Sequence, residues 1–363
     1  MRIGLKSVLA GAAALAALLG AAPASAQQSV ADFYKGKAID LWVGYSPGGG
    51  YDIYARTIAR HLGRHIPGNP DVVVKNRPGA GSLLLMNEIY NTLPKDGLAI
   101  ATVGRGIPQA GLLGNDQAKF DPAKFTWIGS ANNEVSICVA WHTTGITKFE
   151  ELLTKQLIVG GTGPDADTDA FPKVLNNLLG TKLRLITGYP GGNDVMLAME
   201  RGEVNGRCGY SWSSATVAKG EWLKEKKMIV LAQMSTAKHP DIPDIPLVTD
   251  LAKDEKTKEA LKFIFARQAW GRPYVAPPGV PADRAKALQD GFMAMFKDPK
   301  FIEDANKQGD LEINPVSGPE IAKLIEASAK APKDVIAMAK DALEREDKTE
   351  IKSIAPADKG EKK

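Results

Sequence analysis

Short apolar runs alternate with amphipathic stretches along most of this chain, a pattern typical of parallel α/β sheets. The first part predicts strands at residues 39–43, 72–75 and 98–103, separated by helices at 51–65 and 83–90. A glycine-rich loop follows each of the three strands. Ligands of open α/β sheets lie beyond the carboxyl ends of the strands. We therefore expect the three loops to converge on a binding site.

The same alternation starts again after Asp121-Pro122 and predicts a second α/β unit. Its strands are predicted at 126–130, 137–140, 157–160, 183–187, near Arg207 and at 228–233, and its helices at 148–153, 170–179 and 194–201. A proline-rich connector at 239–246 then leads to amphipathic helices at 256–265, 282–296, 299–307, 320–328 and 333–344.

We expect two lobes, because a chain of 363 residues exceeds the size that one hydrophobic core usually serves. The predicted boundaries place residues 27–130 in lobe 1 and residues 131–232 in lobe 2. Residues 233–346 are predicted to return to lobe 1 and to supply its C-terminal helices.

Both ends of the chain are predicted to lie outside the two lobes. Arg2 and Lys6 precede an apolar run, which ends in the signal-peptidase pattern Ala24-Ser25-Ala26. Residues 1–26 therefore match a secretory signal peptide cleaved after Ala26, which predicts export. The charged segment 347–363 is low in apolar residues and is expected to be disordered.

Charge and cysteine content narrow the possible partners and compartments. The 46 Lys and Arg residues nearly balance the 42 Asp and Glu residues, and no basic patch is interleaved with aromatic residues. A nucleic-acid partner is therefore not expected. The two cysteines, Cys138 and Cys208, either form a disulfide in an oxidising compartment or remain buried free thiols, and the sequence leaves both possibilities open.

No cofactor and no metal are expected from the motifs. Four near matches to the dinucleotide-binding pattern G-x-G-x-x-G all lack the third glycine. The alternating Asp165, Asp167 and Asp169 lack the glycine and the glutamate that a calcium loop requires. We interpret these three residues as a solvated loop whose last member caps the next helix.

The first glycine-rich loop, residues 44–52, fits two kinds of site. Gly48, Gly49 and Gly50 would present backbone N–H groups to an anion at the start of a helix, with Asp52 as its N-cap or as a ligand discriminator. Gly44-Tyr-Ser46-Pro-Gly48 also matches the nucleophile elbow of α/β-hydrolases, so a secreted serine hydrolase using Ser46 is the alternative. Pro47 argues against a hydrolase, because the residue after the nucleophile donates its backbone N–H to the oxyanion and proline has none.

Several motifs in sequence order resemble the substrate-binding receptors of tripartite tricarboxylate transporters, the Bug family. They are Ser46-Pro-Gly-Gly-Gly-Tyr-Asp-Ile-Tyr-Ala-Arg56, Val72-Val-Val-Lys-Asn-Arg-Pro-Gly-Ala-Gly81, Lys95-Asp-Gly97, Tyr189-Pro-Gly-Gly192 and Gly202-Glu-Val204. The match extends over nearly the whole chain behind the signal peptide. It implies a type II periplasmic-binding-protein-like fold of two lobes, each a mostly parallel sheet flanked by helices, with the ligand cleft between them.

The resemblance also implies a function. Such a receptor is not an enzyme; it closes in the periplasm on a small organic carboxylate and delivers it to a permease made of a large and a small membrane subunit. We expect it to be a monomer. A carboxylate-sensing partner of a signalling receptor remains an alternative, because the sequence does not separate sensing from transport.

We predict a ligand site formed by loops of both lobes, with Arg105 pairing with a second carboxylate and aromatic residues lining the cleft. The predicted residues are Tyr45, Ser46, Pro47, Gly48, Gly49, Gly50, Tyr51, Asp52, Gly79, Ala80, Gly81, Ser82, Arg105, Thr162, Gly163, Tyr189, Gly191, Asn193 and Trp212.

Overall fold

Two six-stranded sheets, each covered by helices, form the two lobes of the computed structural model. The structure describes residues 28–309, 311–344 and 352–353. The predicted signal peptide lies outside these residues. The predicted disordered tail also lies outside them, except for Lys352–Ser353, which forms a short strand.

The described elements follow the predicted alternation of strands and helices. The strands are β1 (Ala38–Val43), β2 (Asp71–Asn76), β3 (Ala99–Thr102), β4 (Thr126–Ser130), β5 (Ser136–Trp141), β6 (Leu157–Gly160), β7 (Leu183–Thr187), β8 (Gly206–Ser211), β9 (Met228–Met234), β10 (Pro273–Ala276), β11 (Val316–Ser317) and β12 (Lys352–Ser353). The α-helices are α1 (Val30–Tyr34), α2 (Gly50–Leu62), α3 (Leu83–Asn91), α4 (Asp167–Val174), α5 (Gly192–Glu200), α6 (Trp212–Lys224), α7 (Glu255–Phe265), α8 (Ala282–Met295), α9 (Pro299–Lys307), α10 (Gly318–Ala329) and α11 (Lys333–Glu344).

Both sheets are mixed, but most strands of each run in the same direction, which confirms the predicted mostly parallel sheets. The first sheet has the order β11-β4-β10-β3-β1-β2, and the second has the order β12-β7-β6-β8-β5-β9. In the first sheet β1 is parallel to β2 and β3, but β10 is antiparallel to β3 and β4. In the second sheet β6 is parallel to β7 and β8, but β5 is antiparallel to β8 and β9.

The antiparallel strands have a simple topological cause. The chain crosses from lobe 1 into lobe 2 at β5 and from lobe 2 back into lobe 1 at β10. Each of these two strands therefore begins at the end of its sheet that faces the other lobe. The parallel strands β1, β3, β6 and β8 all have their carboxyl ends at this end of their sheets. Four strand-to-helix or strand-to-loop junctions therefore meet between the lobes, which is where sheets of this kind bind ligands.

The C-terminal part of the chain is divided between the lobes, and this differs from the predicted return of 233–346 to lobe 1. β10 joins the first sheet, whereas α7 and α11 pack against the core of the second sheet. Buried Leu261 and Ile264 of α7 and buried Ala339 of α11 belong to the same apolar cluster as Phe171 of α4. Burial of these apolar faces places both helices on lobe 2.

Cys138 and Cys208 face each other across the paired strands β5 and β8 and are joined by a disulfide. Both are fully buried in the core of lobe 2. In the part of the chain that the structure describes, no helix has the length and apolar character that crossing a bilayer requires.

Candidate functional site

A cavity of ≈ 50 Å³ lies between the two lobes at the carboxyl ends of β1, β3, β6 and β8. One buried water needs on the order of 10–15 Å³ on this scale, so the cavity holds a few waters or the polar groups of one compact ligand. Eight predicted site residues line it: Tyr45, Gly48, Gly49, Gly50, Tyr51, Arg105, Thr162 and Asn193. Residues that were not predicted also line it, among them Asp167, Gly192, Arg207, Ser211, Lys219 and Arg272.

The amino ends of two helices from different lobes face each other across this cavity. α2 begins at Gly50 with Gly49 as its N-cap, and α5 begins at Gly192. A Cβ atom placed on Gly49 would lie 3.7 Å from the backbone nitrogen of Asn193 and 3.8 Å from that of Gly192. The first N–H groups of a helix have no partner within it and carry partial positive charge. The two ends together therefore favour an anion between them.

Asp52 does not have the predicted role of N-cap, because α2 begins two residues before it. It is buried and accepts hydrogen bonds from the Gly48 N–H (2.9 Å) and from Asn76 (2.8 Å), and it pairs with Arg56. Burial would raise the pKa of Asp52, but these partners outweigh it and hold the pKa below the usual value. The N–H of Gly48 is thus engaged by Asp52, which leaves Gly49, Gly50 and the first turn of α2 as the donors toward the cavity.

The second predicted loop, residues 79–82, lies at the lobe interface but does not line the cavity. A Cβ atom on Gly81 would lie 3.0 Å from the Cβ of Ala166 in lobe 2, and Gly163 packs directly on the backbone of Ala80. Ser82 accepts a hydrogen bond from the Gly104 N–H at 2.7 Å. These residues pack the two lobes together behind the cavity instead of presenting free amides to it.

Arg105 lies in the cavity wall as predicted, but its partners belong to the protein. Its Nε lies 3.2 Å from Oδ2 of Asp167, its Nη1 donates to Gln268 at 2.8 Å and its Nη2 donates to Ser211. Burial would lower the pKa of Arg105, but the neighbouring Tyr51 and Asp167 raise it above the ordinary value. Asp167 thus occupies the position that a ligand carboxylate would need beside Arg105.

A second buried arginine of the wall, Arg272, is also paired within the protein. Its Nη2 lies 3.2 Å from Oε2 of Glu134, whose side chain has no exposed surface, and donates to Ser214 at 2.6 Å. The guanidinium carbon of Arg272 lies 4.6 Å from the centroid of the Tyr51 ring. Tyr51 in turn stacks on Tyr45 with ring centroids 4.8 Å apart.

Arg207 is a partly buried arginine of the cavity wall and has no carboxylate partner among the described residues. Its Nη1 donates to the Gly192 carbonyl at 3.1 Å, and its buried Nε makes no hydrogen bond. The guanidinium carbon lies 4.1 Å from the centroid of the Tyr210 ring. Burial lowers the pKa of Arg207 to about 10, so it remains charged at neutral pH. An unpaired charge in such a place is costly unless an anion joins it.

Asp167 and Asp169 are buried and Asp165 is half-buried, so the predicted solvated loop is wrong. Asp169 accepts hydrogen bonds from the Gly163 N–H at 2.9 Å and from the Thr187 hydroxyl, and burial raises its pKa. Asp165 accepts from Asn115, and burial raises its pKa as well. The N–H of Thr162 donates to Thr168 at 3.1 Å. The loop of lobe 2 therefore uses its own amides internally.

The remaining predicted residues lie near the cavity without lining it. The Ser46 hydroxyl donates to Asp194 and its N–H donates to the Pro190 carbonyl, which connects the lobes. Pro47 is exposed, Gly191 packs against Ser46, and Tyr189 points toward Glu203. Trp212 points away from the cavity, with its ring 5.8 Å from that of His239.

The partners of Ser46 do not support the hydrolase alternative. Within the described residues, the four histidines of the chain interact with other groups: His61 with Asp304, His65 with Asp298, His142 with Trp141 and His239 with Glu312. Ser46 thus has an aspartate but no imidazole base beside it.

No family model matches the chain. A protein of Cupriavidus necator described as "UPF0065 protein in gbd 5'region" is 26% identical over 333 residues, which cover 90% of this chain and 94% of that protein. The periplasmic binding protein BugD has a similar structure, with a TM-score of 0.68 and 21% identity over 85% of this chain and 98% of its own. MatC from Rhodopseudomonas palustris with bound malate gives a TM-score of 0.66 and 17% identity over 85% and 99% of the two chains.

These likenesses show that the chain has the two-lobed fold of periplasmic binding proteins. Both lobes are present, since nearly the whole length of BugD and of MatC is covered. The two-lobed fold that the motifs led us to expect is confirmed.

Proposed function

We propose that this protein is a non-catalytic periplasmic receptor that closes its two lobes around a small organic carboxylate. In this proposal it acts as a monomer and delivers the ligand to the large and small membrane subunits of a tripartite transporter. The bound malate of MatC and the periplasmic location of BugD support this assignment by similarity.

The observation that carries the proposal is the position of Arg207 beside the amino end of α5 and opposite the amino end of α2. A carboxylate placed there accepts hydrogen bonds from backbone N–H groups of both lobes and neutralises a partly buried guanidinium. Because the donors belong to different lobes, the same anion holds the lobes together, which couples binding to closure.

A thermal-shift screen over mono-, di- and aromatic carboxylates, with neutral sugars as the reference set, tests this proposal. A ligand present at 100 times its dissociation constant stabilises the folded protein by about 2.7 kcal/mol. We expect at least one carboxylate to raise the melting temperature clearly above every sugar. If carboxylates raise it no more than the sugars do, the protein is not a carboxylate receptor.

A further inference from the structure

The cationic side chains that line the cavity are only partly neutralised by acids of the protein. These side chains are Arg105, Arg207, Lys219 and Arg272. Arg105 pairs with Asp167, and Arg272 pairs with Glu134. Arg207 and Lys219 form no ion pair with a carboxylate in the part of the chain that the structure describes. The cavity therefore offers two cations to an anionic ligand.

Helix α6 is broken at Lys219, and the break brings this residue to the rim of the cavity. Ser214 and Ala218 both line the cavity, because residues four apart share one face of a helix. In an unbroken helix the next side chain would point about 100° away from that face. The backbone of Lys219 instead has a non-helical φ of −141° and ψ of 27°, and Lys219 lines the cavity beside Ala218.

The ammonium group of Lys219 rests on an aromatic ring that an anion can replace. Its Nζ lies 3.8 Å from the centroid of the Trp222 ring. Trp222 packs edge-on against Trp141, with ring centroids 4.8 Å apart, which keeps the ring in place. A cation–π contact at a half-exposed site is weaker than a charge-assisted hydrogen bond to a carboxylate. The flexible four-carbon stem of lysine lets the ammonium group move from the ring to an anion.

We propose that Lys219 determines the specificity of the site by holding a second anionic group of the ligand at the rim. The first carboxylate lies at Arg207 and the amino ends of α2 and α5, and the second group draws the Lys219 ammonium away from Trp222. The inference rests on the proposed function and deepens it, because Lys219 favours acids with two anionic groups over acids with one. An uncharged group at the rim forms no ion pair with Lys219 and binds less tightly.

Calorimetric titration of the wild-type protein with matched pairs tests the inference. Succinate, glutarate and adipate are each compared with the acid in which a hydroxymethyl group replaces one carboxylate: 4-hydroxybutyrate, 5-hydroxypentanoate and 6-hydroxyhexanoate. Several lengths are included because the ligand must reach from Arg207 to Lys219. We expect the dicarboxylate of at least one pair to bind about tenfold or more tightly than its hydroxy acid.

The outcomes of this titration separate the inference from the proposed function. If the hydroxy acid binds as tightly as the dicarboxylate in every pair, the inference is overturned and the receptor function stands. The same holds if a monocarboxylate from the thermal-shift screen binds and no dicarboxylate does. If neither the pairs nor the screen yields a bound carboxylate, the proposed function itself fails.

Substitution of Lys219 tests whether this residue causes the preference. In Lys219→Gln we expect the preferred dicarboxylate to lose about tenfold or more in affinity, whereas its hydroxy acid keeps its affinity. Lys219→Arg retains the charge and should retain the preference. Lys224→Gln is the matched control, because Lys224 ends the same helix, is exposed and does not line the cavity.

The Lys224→Gln variant should bind both members of a pair with the dissociation constants of the wild-type protein. A Lys219→Gln protein that still prefers the dicarboxylate contradicts the role given to Lys219. Lys219→Met, which keeps the apolar stem of the side chain, supplies the same comparison if the glutamine variant does not fold.

Discussion

Replacing Arg207 with glutamine is expected to weaken carboxylate binding by about 10- to 100-fold, because charge-assisted hydrogen bonds contribute roughly 1.5–3 kcal/mol each. Glutamine keeps a polar side chain of similar reach but removes the positive charge between the two helix ends. The loss should appear in the dissociation constant measured by calorimetry. The folded state should not be weakened, since the wild-type guanidinium has no carboxylate partner in the described part of the chain.

Arg201→Gln is the control for this substitution. Arg201 directly follows α5, its side chain is 69% exposed, and it lies 3.8 Å from Glu203, away from the cavity. The Arg201→Gln variant should bind the ligand with the same dissociation constant as the wild-type protein. The pH dependence of the ligand affinity is a second test. A bound carboxylate raises the pKa of Arg207 above its value of about 10 in the ligand-free protein. The affinity is therefore retained below pH 10 and is lost as the pH rises above 10. An Arg207→Gln protein that binds as tightly as the control rules out Arg207 as the carboxylate ligand.

Replacing Glu134 with glutamine is expected to destabilise the protein by about 3–5 kcal/mol, the usual cost of leaving one partner of a buried ion pair unpaired. Oε2 of Glu134 lies 3.2 Å from Arg272 and accepts from the Ser213 hydroxyl at 2.7 Å. Both residues of the pair lie where the chain crosses between the lobes, Glu134 just before β5 and Arg272 just before β10. The substitution leaves the Arg272 guanidinium charged and buried. Denaturant unfolding, followed by circular dichroism, measures the change.

Glu225→Gln provides the comparison for Glu134. Glu225 pairs with Lys227 at 2.7 Å, but its side chain is 53% exposed, so water solvates either charge when the other is removed. The unfolding midpoint of the Glu225→Gln variant should match that of the wild-type protein. If the two variants unfold alike, the Glu134–Arg272 pair does not hold the crossing segments together.

The sequence predicted the parts of the site that depend on local pattern. An apolar strand followed by a glycine-rich loop and a helix is visible in residues 39–65, and the structure places Gly49, Gly50 and Tyr51 at the cavity. Arg105, which comes two residues after a predicted strand, also lines the cavity, but the structure pairs it with Asp167. These features can be predicted from a short stretch of sequence, without knowing how the other lobe packs against it.

The parts that were missed depend on contacts between distant segments. Nothing near Arg105 in sequence indicates that Asp167 pairs with it, or that Glu134 pairs with Arg272. Arg207 was seen only as part of a strand. The signal in the sequence was a charged residue inside a strand, between Gly206 and Cys208, which are both buried. Charged residues are rare at such positions unless they have a partner.

Trp212 and the glycines of the second loop were expected at the ligand site from their neighbours in sequence, but the backbone directs them elsewhere. Trp212 lies among small polar residues in sequence, but α6 begins at Trp212 and turns the ring toward His239. The glycines 79 and 81 adopt φ values of 152° and 64°. This backbone, which favours glycine, lets the loop pack closely on lobe 2, so the glycines bring the two lobes together instead of binding the ligand.

The most direct test of the account is a calorimetric titration with the best carboxylate from the screen and with its primary amide. The amide has the same shape but no charge to neutralise Arg207 or to face the amino ends of α2 and α5. We predict that the carboxylate binds at least about 100-fold more tightly, which is roughly 2.8 kcal/mol of difference. Equal binding of the two would show that the site between the lobes does not recognise a carboxylate.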